Sequence, residues 1–108
     1  MNFDDLQQRA VQIRKKYDEL NKRAGNTAWV SRDFMAGFVA DVGELSEILM
    51  AKDGLRKMED VDTKLAHELS DCLYSILILA DSYGIDLASV FMKTMDELTV
   101  RIDTEKSA

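Results

Sequence analysis

The sequence predicts an all-α domain, and three observations carry that prediction. Proline is absent and glycine occurs only five times, so long helices meet few breaks. Apolar residues recur at spacings of three and four through most of the chain, and no segment alternates as a half-buried strand would. Two acidic pairs, Asp41 with Glu44 and Glu68 with Asp71, lie inside otherwise apolar stretches. A spacing of three makes the carboxylates of each pair neighbours on a helix, with Cβ atoms roughly 5–6 Å apart. At 108 residues the chain is expected to form one domain, residues 1–108, with four helices in a bundle-type arrangement.

The elements follow in order. Residues 3–24 read as the first helix, with Phe3, Leu6, Ala10, Ile13, Tyr17, Leu20 and Ala24 forming a narrow seam. Gly25-Asn26 suits its termination in a left-handed turn. Ser31 is the expected N-cap of the second helix, with Val30 and Met35 spaced for a hydrophobic staple. That helix runs to about Lys52, and Gly54 is its stop. Gly37 and Gly43 lie inside it at about 1 kcal/mol each relative to alanine, which points to close approach of a backbone or a ligand. Residues 53–60 form a polar connection. The third helix, from about Asp62 to Tyr83, is apolar around most of its circumference and is expected to be the most buried; Gly84 ends it. Asp86 caps the fourth helix, and Leu87, Phe91, Met95, Leu98 and Ile102 are expected as its inward stripe. Tyr17, Phe34 and Phe38 are expected in the core, and Cys72 reads as packing.

Charge and composition exclude several functions. A net charge of −6 disfavours binding to nucleic acid or to an acidic membrane. No apolar run reaches membrane-spanning length, and Met1 to Asp5 lack the basic start of a signal peptide. A single cysteine, Cys72, forms no internal disulfide, so a cytoplasmic location is expected. There is no phosphate-binding glycine loop and no His-Glu-x-x-His.

The acidic pairs are the feature that composition does not explain. On a helical wheel Asp41 falls within the apolar arc of Phe34, Phe38, Leu45 and Ile48, and Glu68 falls between Lys64 and Ser75 on one side and Val61, Leu79 and Cys72 on the other. No Lys or Arg occurs in residues 33–51 or 65–92. Carboxylates aimed at a core are seldom left without a partner, so four such acids ask for a cation. His67 adjoins Glu68 but is turned about 100° from it, toward the surface.

The stretch Val42-Gly43-Glu44-Leu45-Ser46-Glu47, then Glu68-Leu69-Ser70-Asp71-Cys72-Leu73-Tyr74 and Gly84-Ile85-Asp86-Leu87, resembles the MazG-like nucleotide pyrophosphohydrolases, members of the all-α nucleoside triphosphate pyrophosphatases. The resemblance covers most of residues 29–101. It departs from the family motif at one point: the paired glutamates of that motif are Ala40 and Asp41 here.

The resemblance implies a four-helix MazG-like fold completed by dimerisation, as a homodimer or a tetramer. It implies hydrolysis of a nucleoside triphosphate to monophosphate and pyrophosphate in a house-cleaning role. Magnesium is the implied metal, with manganese as a substitute, held by Asp41, Glu44, Glu68 and Asp71. Glu47 is placed as a general base or additional ligand; Lys52, Lys93 and Arg101 as phosphate contacts; and Trp29 as a stacking surface for the base. Two other readings were weighed. A di-iron bundle needs Glu-x-x-His on two helices, and this chain has one histidine. A catalytically silent binding or interaction module is left open by the Ala40/Asp41 departure.

Overall fold

The computed structural model describes residues 1–107 as four helices: α1 (Phe3–Arg23), α2 (Ser31–Lys52), α3 (Val61–Ser82) and α4 (Leu87–Ser107). No strand occurs among the described residues. The first three helices stop where the sequence places a conformational break. Gly25, Gly54 and Gly84 all have positive φ, a backbone region glycine enters without steric cost. After α3 the chain turns through Gly84, with the Ile85 amide donating to the Ala80 carbonyl at 2.9 Å. Asp86 then caps α4, accepting from the Ser89 amide and hydroxyl.

One expected cap is different. Val30, not Ser31, is the N-cap of α2, and no side chain caps it there. Instead the Asp33 carboxylate accepts from the Val30 amide at 2.9 Å, which tightens the first turn and favours the positive end of the helix dipole.

α2 and α3 pack as a hairpin, and α1 lies against α3. Ala10, Phe34, Leu77 and Ile78 form the buried core. Gln7 donates to the Leu77 carbonyl at 2.8 Å and Arg14 to the Ser82 hydroxyl at 2.9 Å, fixing α1 in register on α3. α3 carries most of the buried residues, as its broad apolar circumference predicts.

The fourth helix departs from expectation. Of its expected inward stripe only Leu87 packs against the core: α4 contains no buried residue, and Phe91 is 55% exposed. The helix leaves α3 at 106°. The radius of gyration is 17.7 Å, against about 13 Å for a compact domain of this length. Two further apolar seams lie open. Met35, Val39, Val42 and Leu49 on α2, and Leu69, Leu73 and Ile76 on α3, recur at spacings of three and four and are all exposed. That spacing is the signature of helices that bury a seam against other helices.

Candidate metal centre and nucleotide cleft

Asp41 and Glu44 are brought opposite Glu68 because α2 and α3 run antiparallel with their acidic segments level. One carboxylate oxygen from each of the three residues lies within 4.8 Å of the others. Their environments differ. Glu44 is exposed, Asp41 is half-buried, and Glu68 is 5% exposed. Oε1 of Glu68 is buried with no hydrogen-bond partner, a state that costs about 1–3 kcal/mol or more for a polar group. Burial pushes the Glu68 carboxyl up to about 7, and the adjacent Asp41 and then Glu44 carboxyls push the same way. Among the described residues none of the three forms an ion pair. This donor set fits a hard divalent cation: all oxygen, anionic, convergent and otherwise unpaired.

Asp71 stands apart from the other three. Its carboxylate lies 3.2 Å from His67 Nε2 and lines a cleft together with Asp41. His67 itself is at the surface, as its helical position predicts. Glu47 lines a second cleft with Glu44, Glu68 and Lys64, and it pairs with Arg56 at 3.4 Å. Lys52 is engaged with Asp62. Lys93 and Arg101 lie exposed on α4, and no α4 residue lines either cleft. Within one chain, then, the structure does not bring Lys93 or Arg101 to the acids.

The cleft beside Asp41 and Asp71 has a volume of about 530 Å³. Trp29, Phe34, Tyr17 and Tyr74 form its aromatic walls. The Trp29 and Phe34 rings meet edge to face at 5.4 Å, and Phe34 meets Tyr74 at 6.3 Å. A Cβ on Gly37 would lie 3.4 Å from the Trp29 ring, so this glycine gives the indole its seat. Gly43 has no such neighbour. Phe34 is core and Phe38 half-buried as expected, but Tyr17 is 56% exposed and faces the cleft rather than the core. Cys72 is buried as expected, and burial raises its thiol pKa.

Sequence reasoning missed the contribution of α1. Asp18 and Asn21, one helical turn apart, line the same cleft as Tyr17. The available signal was a polar pair at the edge of the α1 seam. Tyr74, three residues after Asp71, also lines this cleft, and sequence reasoning gave it no role.

With the geometry in place, comparison with known families decides the class. The model of the MazG nucleotide pyrophosphohydrolase domain matches residues 32–104. The chain belongs to this family. That match supports hydrolysis of phosphoric anhydrides with a nucleotide as substrate, and the all-helical architecture agrees with it. No curated protein and no solved structure matches the chain. The MazG match begins one residue after the start of α2, so the α1 wall and Trp29 lie outside it.

Proposed function

We propose that this MazG-domain protein is a magnesium-dependent nucleoside triphosphate pyrophosphohydrolase. The observation that carries this reading is the Asp41, Glu44 and Glu68 oxygen set, with its buried and partnerless Glu68 oxygen, opening beside an aromatic cleft. Asp41, Glu44 and Glu68 would hold the ion, and Asp71 would join them by turning from His67. Magnesium there would supply charge neutralisation for the phosphates and a water of lowered pKa; manganese also accepts an oxygen shell.

The chain's own groups do the rest. Trp29 stacks on the base and holds the nucleoside in the cleft. Glu47 accepts the proton of the attacking water. The water oxygen bonds to the α-phosphorus, the bond from that phosphorus to the bridging oxygen breaks, and pyrophosphate leaves with the electron pair. Lys52, Lys93 and Arg101 contact the phosphates, and for the α4 pair this requires a second chain or a moved helix. A house-cleaning role in the cytoplasm accords with this chemistry.

The test is product identity. Incubation of nucleoside triphosphates with protein and magnesium should yield monophosphate and pyrophosphate, with loss on chelation and recovery on adding magnesium back. Diphosphate with orthophosphate would move the reaction to the terminal phosphate and defeat the assignment. The Ala40/Asp41 departure supports a second reading, a silent nucleotide-binding module; binding without pyrophosphate release would establish it.

We also propose a homodimer or a dimer of dimers. The open seams on α2 and α3 and the uncovered α4 are the support, since apolar surface left in water costs about 25 cal/mol per Å². Light scattering at micromolar concentration should give a dimer or larger, and a stable monomer would contradict this.

A further inference from the structure

We propose that α1 is the base-reading wall of the cleft, and that Asp18 selects the bases with an amino group at C4 or C6, cytosine and adenine, over uracil, thymine and guanine, which carry a carbonyl there. The inference rests on the nucleotide-binding reading of the cleft and goes beyond it by naming the base class. No family motif supplies it, because the MazG match begins at residue 32.

Three observations support it. First, α1 closes the side of the cleft facing the aromatic rings, and its polar contribution is Asp18 and Asn21. Both are half-buried and, three residues apart, both project from one face of the helix. Second, Asp18 is held in place. Arg14 Nε lies 3.9 Å from its carboxylate, while the same guanidinium donates to Ser82 on α3 and lies over the Phe34 ring, 5.1 Å from its centroid. The carboxylate is therefore tied to the fold at the edge of the cleft, rather than free on a surface helix. Third, the aromatic walls offer contact to a ring face, which any base satisfies. Discrimination must then come from the polar edge.

The chemistry of that edge sets the preference. An ionised carboxylate only accepts hydrogen bonds. Cytosine and adenine present an amino donor where thymine, and likewise uracil, present a carbonyl oxygen. A donor meets the Asp18 carboxylate favourably, whereas a carbonyl oxygen would face it with like partial charge and leave both acceptors unsatisfied. Asn21 carries both a donor and an acceptor and can bond to either base class, so it contributes affinity rather than choice.

Trp29 is the only tryptophan, so intrinsic fluorescence reports directly on the cleft. The magnesium complexes of α,β-methylene CTP and α,β-methylene UTP, which resist cleavage between those phosphates, are titrated against the full chain. The CTP analogue should quench Trp29 with a dissociation constant roughly tenfold or more below that of the UTP analogue. In Asp18→Asn, with its helicity verified by circular dichroism, the ratio should fall to within about twofold. Asn21→Ala should weaken both analogues alike. Equal affinities in the wild type, or an unchanged ratio in Asp18→Asn, would overturn the proposal. A parallel pyrophosphate assay separates the two claims. Base preference without pyrophosphate release defeats the hydrolase reading alone; release without base preference defeats this inference alone.

Discussion

Glu68→Gln should lose pyrophosphate release by at least about a hundredfold, since even the partners that merely orient metal ligands are worth about 10–100-fold. The same variant should be as stable as the wild type, or more so, when no metal is present. The reason is the cost that Glu68 carries in the metal-free fold. It is 5% exposed, has a buried oxygen without a partner, and faces Asp41 and Glu44. Its carboxyl is raised to about 7 from 4.5. The folded state thus holds the proton more tightly than the unfolded state, and metal-free stability is highest below about pH 4.5 as far as this group is concerned. Between about pH 4.5 and 7 stability falls as pH rises.

Glutamine cannot ionise, and its amide can donate to Asp41 or Glu44, so Glu68→Gln should flatten that fall and melt higher than the wild type at pH 8. Magnesium should reverse the order by raising the wild-type melting temperature more than the mutant's. Thermal melts from pH 5 to 8, with magnesium and with chelator, check both parts. A mutant clearly less stable at pH 8 without metal would make Glu68 a structural partner instead.

Phe34→Ala should lower the unfolding free energy by about 3–5 kcal/mol, a large part of the 5–15 kcal/mol typical of a domain. Phe34 is 5% exposed and joins three features: the core with Leu77 and Ile78, the cleft wall through Trp29 and Tyr74, and α1 through Arg14. Its loss leaves a cavity where these meet, so the α1 wall should loosen with the core. The urea midpoint, read by circular dichroism at fixed protein concentration, measures it. A loss below about 1 kcal/mol would show that the α1–α2–α3 contact is not centred on this ring.

Much of the fold was legible because its determinants are local. The stops at Gly25, Gly54 and Gly84 and the cap at Asp86 are properties of single residues, and the structure places them where the sequence did. The acidic pairs were legible for a similar reason: three-residue spacing on two helices fixes which side chains are neighbours. Which of the four acids would be the buried one was not legible, because Glu68 has Lys64 and Ser75 on one flank and apolar residues only on the other.

What was not legible depends on which apolar stripe meets which. The stripe of Leu87, Phe91, Met95, Leu98 and Ile102 shows a side that wants covering but does not say by what, and in one chain only Leu87 reaches the core. The α1 seam had the same ambiguity. Ala10 goes to the core while Tyr17, two turns later on that seam, opens to the cleft. Asp71 was expected with the other acids from its spacing and from the family resemblance; in one chain its carboxylate faces His67, one turn away on its own helix.

The central claim, attack at the α-phosphate of a nucleotide held by the acidic set, is tested most directly by the fate of the water oxygen. Turnover in water enriched with heavy oxygen, followed by mass spectrometry of the products, locates the bond that forms. One labelled oxygen in the monophosphate, with unlabelled pyrophosphate, is the predicted result. Label in pyrophosphate or in orthophosphate would place the attack on another phosphorus and contradict the account.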